Sequence, residues 1–337
     1  MKKKLLLLFS LCLFGVMVLC GCGNAESEQT SLESSDPVET VENVPSSPLE
    51  TTANYVLDAV SSLAPGESGG DWMILALARS DTEVPNGLLD AYYSLLEQHV
   101  SSQNGVLTTN KYTEYSRTAL VVTALGKDPQ NVGGHDMLKP LGDFDATCTQ
   151  GINGAIWALI ALNAAGGDAP VNEEAATQGT CELYLQKILD SQLEDGGFAL
   201  SGTIADADVT AMALTALSFY DDRTEVSAAI DSALQCLSSM QDENGGFGTY
   251  GEPTCESSAQ VLTALSSLGI SVEDERFVKN GNTVLDDLLT YALADGSFTH
   301  LKSLGTSDQM ATEQAFYAMV AQERMENGSS ALFDMSR

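Results

Sequence analysis

Basic residues are scarce in this chain, and this scarcity argues against negatively charged binding partners. Its 337 residues include 15 Lys and Arg against 47 Asp and Glu, which gives a formal net charge of −32 at pH 7. A surface of that charge repels nucleic acids and anionic lipid headgroups. We find no local basic cluster in the folded part of the sequence that would hold a diphosphate or a nucleotide. We therefore expect no nucleic-acid partner.

The sequence also lacks segments in which apolar and polar residues alternate with period two, so no strand is predicted. Apolar and small residues instead fill segments such as 204–220, whose second half carries hardly a polar side chain. A helix that is apolar on all sides is a buried helix. The entrance of this segment carries Asp206 and Asp208, residue types that cap helix N-termini and suit the positive end of the helix dipole.

The first 22 residues have the pattern of a secretory signal. Three lysines precede an uncharged apolar run from Leu5 to Leu19, and small residues follow it. The segment 19–22 resembles the bacterial lipobox, in which cleavage precedes a Cys that becomes lipidated, here Cys22. The alternative is an uncleaved anchor helix, for which the apolar run is short. We expect an extracytoplasmic protein that is attached to the bacterial cell membrane through a lipid on Cys22.

A spacer, one domain and a short tail follow the signal. Residues 23–53 are rich in Ser, Glu, Thr and Pro and contain no aromatic residue, so we expect a disordered linker. Residues 54–325 are long enough for one large domain, and residues 326–337 form a tail. Four Cys lie beyond the signal. Disulfides 148–181 and 236–255, or free buried thiols at these positions, both remain open for an exported domain of this size.

An internal repeat runs through the domain. An Ala-Leu pair closes a series of apolar segments at Ala76-Leu77, Ala124-Leu125, Ala161-Leu162, Ala216-Leu217, Ala264-Leu265 and, in degenerate form, Ala318-Met319. The steps of 37 to 55 residues leave room for one helix pair and its loops. Amphipathic segments lie between the apolar ones. The repeat predicts an all-α fold, a single (α/α)6 toroid with six inner and six outer helices.

Matching turns follow the amphipathic segments. Two have the form Gln-x-x-x-Gly-Gly-Phe, and a weaker third ends at Phe298. Each combines a glycine that ends a helix with an aromatic residue that can pack back onto it. The repeat-motif residues are Gln192, Gly196, Phe198, Gln241, Gly245 and Phe247.

These turns resemble the Q-x3-G-x-W repeat of the terpenoid cyclase and protein prenyltransferase superfamily, with Phe in place of Trp. The resemblance covers roughly residues 54–325 and implies the α/α-toroid fold. It says little about chemistry, because fold does not fix function.

The entrance of segment 204–220 resembles the D-x-D-D-T-A signature of class II cyclases, in which the middle Asp is a general acid. That resemblance makes Asp206 and Asp208 the candidate catalytic residues, with Asp208 as the acid. However, Val209 replaces the third Asp, and two Trp residues supply little of the aromatic lining that steadies carbocations. The alternative is that both Asp residues only cap the helix.

Two further branches of the superfamily bear on cofactors. Prenyltransferases hold zinc with Asp, Cys and His, but none of the three His residues of this chain lies at an inner-helix entrance beside a Cys, so we predict no metal site. The string 208–214 is similar to sequences in cobalamin carriers of the intrinsic factor type. Those carriers also use a β-rich domain that this chain lacks. No cofactor is predicted, and a corrinoid is a candidate ligand only.

The inner helices of a toroid run parallel, so their N-termini meet at one end and could form a ligand-binding funnel. The candidate ligand-binding residues at these entrances are Asp71, Trp72, Glu114, Tyr115, Arg117, Asn153, Asp206, Asp208, Glu256, Glu313 and Gln314. This set favours a cationic or a hydroxyl- and amide-rich ligand over a phosphate. A paired-carboxylate enzyme that uses Asp208 with Glu256 or Glu313 is an alternative.

The sequence therefore favours a non-catalytic protein that binds a small ligand, corrinoid-like, isoprenoid or polyhydroxylated, or a surface protein. The alternatives are a degenerate cyclase-like or carbohydrate-active enzyme that uses Asp208, and a purely structural module of the envelope.

Overall fold

The computed structural model describes residues 47–249 and 252–335, and the expectations for the signal, Cys22 and most of the linker fall outside them. The described part of the chain forms twelve α-helices and two short strands. The helices are α1 (Pro48–Ala59), α2 (Ser68–Arg79), α3 (Leu88–Ser102), α4 (Thr113–Ala124), α5 (Phe144–Thr147), α6 (Ile152–Ala164), α7 (Cys181–Leu189), α8 (Ala207–Leu217), α9 (Thr224–Met240), α10 (Cys255–Ser267), α11 (Val284–Leu289) and α12 (Gln309–Glu326). None of them is both long and apolar enough to cross a bilayer.

Six of these described helices, those with even numbers, form a closed inner ring. Helices α2, α4, α6, α8, α10 and α12 pack each against the next, and α12 packs back onto α2. The outer helices α7, α9 and α11 pack against α6, α8 and α10. Small side chains allow close packing in the ring, as in α6, where Gly154, Ala155, Ala158 and Ala161 are all buried.

The inner helices run parallel. Successive contacts between α10 and α12 join Cys255 to Ala311, Gln260 to Gln314, and Ser266 to Gln322. Because residue numbers rise together along these contacts, the two helices run in the same direction. Elsewhere in the ring, Asp71, the fourth residue of α2, pairs with Arg117, the fifth residue of α4. All inner N-termini therefore lie at one end of the ring, which we call the mouth.

The glutamine turns tie the outer helices to the ring. The Gln241 side-chain amide donates to the carbonyls of Gly245 and Phe277, each at 2.8 Å, and Gln192 makes the equivalent pair of bonds to Gly196 and Ala229. Gly196 and Gly245 adopt φ of 86° and 89°, the left-handed region that favours glycine. In each turn a glutamine therefore closes the bend and fastens it to the next outer segment.

The phenylalanines of these turns join the inner helices through hydroxyl side chains. The N–H of Phe198 donates to Oγ1 of Thr210 at 2.9 Å, and that of Phe298 donates to Oγ1 of Thr312 at the same distance. In the same way, the N–H of Phe247 donates to Oγ of Ser258 at 3.3 Å. Each hydroxyl residue lies in the first two turns of an inner helix, so the repeat fixes how each outer turn meets the mouth.

The centre of the ring is filled by aromatic side chains. Phe333, which follows α12, is buried, and its ring lies 6.2 Å from Trp72, 5.9 Å from Trp157 and 6.4 Å from Tyr317, measured between centroids. Arg79 holds this segment by donating to the carbonyls of residues 331, 332 and 334. The expected tail therefore includes residues that complete the core.

Three details differ from the sequence-based expectations or were left open by them. The first helix begins at Pro48, where Ser47 caps it, although the linker was expected to reach residue 53. Strands β1 (Gly248–Thr249) and β2 (Glu252–Pro253) form a short antiparallel ribbon, which no alternating pattern indicated because each strand has two residues. The four described Cys residues carry free thiols, so the disulfides 148–181 and 236–255 are not formed.

Candidate functional site

One position recurs around the mouth, the second residue of each inner helix. Asp206, Thr254 and Asp308 cap α8, α10 and α12, and in each case the side chain accepts from the backbone N–H three residues on. The second residues of the six described inner helices are Gly69, Glu114, Asn153, Asp208, Glu256 and Met310. Asp206 therefore serves as a helix cap, whereas Asp208 occupies the recurring position.

A cavity of about 300 Å³ opens at this end of the ring, between the N-termini of α8, α10 and α12. Its walls are formed by Asp208, Glu252, Thr254, Glu256, His300, Leu301, Met310 and Gln314. The structure thus brings together three of the candidate ligand-binding residues, Asp208, Glu256 and Gln314. Two carboxyl groups face the cavity from neighbouring inner helices, and Leu301 and Met310 add apolar wall.

Burial changes the acidity of Asp208. Burial, together with the neighbouring charges of Asp206 and Glu256, raises the pKa of this carboxyl to about 6. A hydrogen bond with Ser257 and the proximity of His300 act in the opposite direction. Asp208 therefore exchanges its proton near neutral pH, which an exposed aspartate does not do.

Glu256 is the more buried of the two acids, with 7% of its side chain exposed. Its Oε2 lies 2.8 Å from Nδ1 of His300, which belongs to the loop before α12. Burial raises the pKa of Glu256, while the His300 contact opposes that rise. A cationic His300 would thus be an internal partner for one of the two carboxylate oxygens.

One oxygen of each acid remains without a partner. Among the described residues, neither Oδ1 of Asp208 nor Oε1 of Glu256 has a hydrogen-bond partner, although both atoms are buried. A buried acceptor without a donor costs about 1–3 kcal/mol, and more if the group is charged. Both atoms belong to residues that line the same cavity, so one occupant with donors could satisfy both.

Gln314 reaches the cavity from a polar network beneath it. Nε2 of Gln260 donates to Oε1 of Gln314 at 3.0 Å and to Oη of Tyr317 at 2.6 Å. Burial, followed by the charge of Glu313, raises the pKa of Tyr317 well above its usual value. This network separates the polar mouth from the aromatic centre and fixes the orientation of the Gln314 amide.

A second group of candidate residues forms a buried ion-pair network instead. Nε of Arg117 donates to Oδ2 of Asp71 at 3.0 Å, and Arg117 also pairs with Glu114. Asp71 is completely buried, and burial raises its pKa although Arg117 opposes this. Tyr92 and the backbone N–H of Gly66 donate to its other oxygen at 3.0 Å. The groups around Asp71 therefore bond to one another and not to a ligand, and the cluster joins α2 to α4.

The other candidates lie away from the cavity. Trp72 belongs to the aromatic centre, and Tyr115 is a buried residue whose hydroxyl donates to the Thr108 carbonyl. Asn153 occupies the recurring position in α6 but does not line the cavity, and Glu313 is buried in α12. All of them lie near the N-terminus of an inner helix, as the sequence predicts, but the sequence pattern does not show which of these side chains face the cavity.

Sequence reasoning missed several wall residues, chiefly His300, Glu252 and Met310. Met310 could have been found by aligning Asp308-Gln-Met310 with Asp206-Ala-Asp208, because both follow a capping Asp by two residues. No local pattern predicts the contact of His300 with Glu256, which are 44 residues apart.

A second cavity, of about 420 Å³, lies at the opposite end of the ring, where the C-termini of α6, α8 and α10 meet residues 331–334. Asp221 and Asp222 are among its wall residues. Across residues 47–249 and 252–335, no three or more His, Cys, Asp and Glu side chains are grouped so that they could hold a metal ion.

Comparison with known proteins shows the fold. No protein-family model and no curated protein sequence matches this chain. Among solved structures, an ent-copalyl diphosphate synthase from Streptomyces platensis is 18% identical over 75% of this chain and 50% of its own, with a TM-score of 0.45. This chain therefore spans about half the length of that synthase.

Two other similar structures are variants of the type II terpene cyclase MstE from Scytonema. An Asp-to-Ala variant with merosterolic acid A, its product, is 11% identical over 82% of this chain and 96% of its own, with a TM-score of 0.49. An Asp-to-Asn variant with geranylgeranyl dihydroxybenzoate, its substrate, is 10% identical with the same coverages and a TM-score of 0.50. At this identity the likeness concerns the fold alone. The predicted fold class is confirmed: the domain is an all-α toroid like that of type II terpene cyclases.

Proposed function

We propose that this protein binds a small cationic or donor-rich group, one with a protonated amine or several N–H donors, in the cavity between α8, α10 and α12. One observation carries the proposal. Asp208 and Glu256 line the same cavity, and each leaves a buried carboxylate oxygen without a partner among the described residues. A cationic or donor-rich group that enters there would bond both oxygens and remove the cost of burying them.

The charge of the protein supports this choice of ligand. With a net charge of −32, the protein attracts cations toward a concave acidic site and repels phosphates and carboxylates. The cavity volume of about 300 Å³ suits a small molecule better than a corrinoid or a long isoprenoid chain. Leu301 and Met310 would contact its apolar part, and Gln314 would bond its polar groups.

A second function, proton-donor catalysis of the class II cyclase type, is favoured by the pKa of about 6 at Asp208. An acid of that strength releases a proton readily only when its surroundings stabilise the product cation. The aromatic groups that could do so, Trp72 and Trp157, pack around Phe333 in the centre of the ring. Binding without catalysis is therefore our first proposal.

We further propose that the protein acts outside the cytoplasm, attached to the membrane through a lipid on Cys22. Metabolic labelling with a fatty-acid analogue checks this. Label that disappears in Cys22→Ala supports the anchor, and equal labelling of both proteins contradicts it.

A thermal-shift screen tests the binding function. The full-length protein is mixed with amines and guanidines, polyhydroxylated compounds, corrinoids and isoprenoids. A ligand at 100 times its dissociation constant adds about 2.7 kcal/mol to stability, which raises the melting temperature measurably. We expect amines or guanidines to raise it in the wild type and not in Asp208→Asn/Glu256→Gln.

A matched control is Asp221→Asn/Asp222→Asn, at the opposite end of the ring, which should respond like the wild type. Equal shifts in all three proteins would place binding elsewhere. Turnover of a geranylgeranyl-bearing compound that is lost in Asp208→Asn, with the fold intact, would favour the second function instead.

A further inference from the structure

Several exposed apolar side chains belong to segments that lead into the inner helices. Large exposed apolar residues in the described chain are Leu95, Val106, Val171, Leu183, Leu200, Ile204, Leu304 and Met310. Five of them belong to the connections that lead into inner helices or to a first helical turn: Val106 before α4, Leu200 and Ile204 before α8, Leu304 before α12, and Met310 in the first turn of α12. We call these five the apolar rim.

The rim is spread around the ring rather than gathered beside the cavity. Helices α4, α8 and α12 are alternate members of the six described inner helices. Adjacent packed helices lie about 8–10 Å apart, so alternate members of a ring lie roughly 15 Å apart. A molecule that fills the cavity of about 300 Å³ cannot touch all three places at once. An occupant that covers the rim must therefore be larger than the cavity.

The chemistry of the rim and the cavity differs in a way that specifies this occupant. Ile204 is 82% exposed and Leu304 is 56% exposed, although neither is needed for the core. The cavity at the same end of the ring is lined by Asp208 and Glu256, each of which has a buried, unpartnered oxygen. The mouth therefore offers a site for one cation in the cavity between α8, α10 and α12, and apolar contacts at other points around the ring.

We infer that the natural ligand is a protein or peptide segment that inserts one Lys or Arg side chain into the cavity and lays apolar side chains on the rim. This inference rests on the proposed function, because it names the kind of molecule that would bring the cationic group into the cavity. An extended segment advances about 3.3 Å per residue, so about five residues bridge two rim positions. Charge complementarity selects a basic segment, because an acidic partner would be repelled by a chain of net charge −32.

Fluorescence anisotropy tests this inference on the full-length protein. The probe is a short synthetic peptide with a central Arg between Leu and Phe residues, and arginine amide is the small-molecule competitor. We expect the peptide to bind at least about tenfold more tightly than arginine amide, because each covered apolar side chain contributes about that much. Replacing its Arg by Gln should remove most of the binding.

Rim variants separate this inference from the proposed function. Val106→Ser/Ile204→Ser/Leu304→Ser should weaken peptide binding about tenfold or more and leave arginine amide binding unchanged. Leu95→Ser/Val171→Ser/Leu183→Ser, which changes exposed apolar residues away from the mouth, should bind both probes like the wild type.

Three results would overturn the inference. Peptide binding that is no tighter than arginine amide binding, or that is insensitive to the rim variant, would mean that the occupant is a small molecule and would leave the proposed function standing. Rim-dependent binding to phosphatidylcholine vesicles without peptide binding would assign the rim to a lipid surface. Failure of both cations to bind would overturn the proposed function together with this inference.

Discussion

Asp208 and Glu256 occupy the same position in neighbouring inner helices and line the same cavity, and each has one buried carboxylate oxygen without a hydrogen-bond partner among the described residues. The capping residues Asp206 and Thr254 fix this arrangement, because each cap sets the N-terminus of its helix two residues earlier. The repeat that builds the ring thus also pairs the two acids.

Replacing Asp208 by Asn should stabilise the protein at neutral pH. The folded state holds the Asp208 proton up to about pH 6, whereas an unfolded aspartate releases it near pH ~4. Between these values the folded state binds more protons, so stability falls as the pH rises. The loss of stability that results from ionising Asp208 is absent below pH ~4. It is complete above about pH 7, where it lowers the free energy of unfolding by an amount on the order of 2–3 kcal/mol.

Urea unfolding at about pH 4 and about pH 7.5 measures this difference. Asp208→Asn should exceed the wild type only at the higher pH, and the exposed Asp231→Asn should match the wild type at both. A variant that is less stable than the wild type at the higher pH would mean that the ionised Asp208 stabilises the fold.

Replacing Arg117 by Met should destabilise the domain strongly, because Asp71 would keep a buried charge without its partner. Loss of one member of a buried ion pair costs about 3–5 kcal/mol. Asp71→Asn/Arg117→Met should recover part of that loss. The control is Arg223→Met, whose partner Glu182 is 66% exposed, and surface pairs of that kind contribute at most about 1 kcal/mol. Similar losses for both single variants, measured by denaturant unfolding, would contradict the assignment.

Replacing Phe333 by Ala should open a cavity beside Trp72 and Trp157 and cost about 3–5 kcal/mol. Phe333→Leu should cost less, because it fills most of the volume. Tryptophan fluorescence reports the change directly, since these two residues are the only Trp in the sequence. Unchanged emission and stability in Phe333→Ala would show that residues 331–335 do not complete the core.

Replacing Thr210 by Val should leave the Phe198 N–H without its acceptor. The expected loss is about 1–3 kcal/mol, whereas Thr210→Ser, which keeps a hydroxyl, should lose much less. Melting temperatures of the two variants give the comparison. If Ser and Val are equally destabilising, the methyl group rather than the hydrogen bond supports this position.

Much of the fold could be predicted because inner helices such as α6 and α8 are apolar on nearly all sides and the glutamine turns recur. These patterns are local, so they can be recognised in the sequence without knowledge of tertiary contacts. Helix α5 has four residues and α11 has six, so neither gave a readable period. The order of packing around the ring followed from the repeat itself, since each helix pair must bury its face against the next.

The site could be predicted only in part. Asp208, Glu256 and Gln314 were found because they lie at helix entrances, but Asp71 and Arg117 lie at entrances too and satisfy each other. The difference depends on which side chains are paired in space, and no periodicity encodes it. His300 belongs to a loop whose path is set by the turn before it, so its contact with Glu256 became visible only in the structure.

Isothermal titration calorimetry with arginine amide near pH 6, in buffers of different ionisation enthalpy, tests the central claim most directly. Asp208 is about half protonated at that pH, so a cation that bonds its carboxylate must displace a proton into the buffer. We predict proton release on binding in the wild type and much less in Asp208→Asn. Binding without proton release, or release that persists unchanged in Asp208→Asn, would contradict the placement of the ligand on this pair of acids.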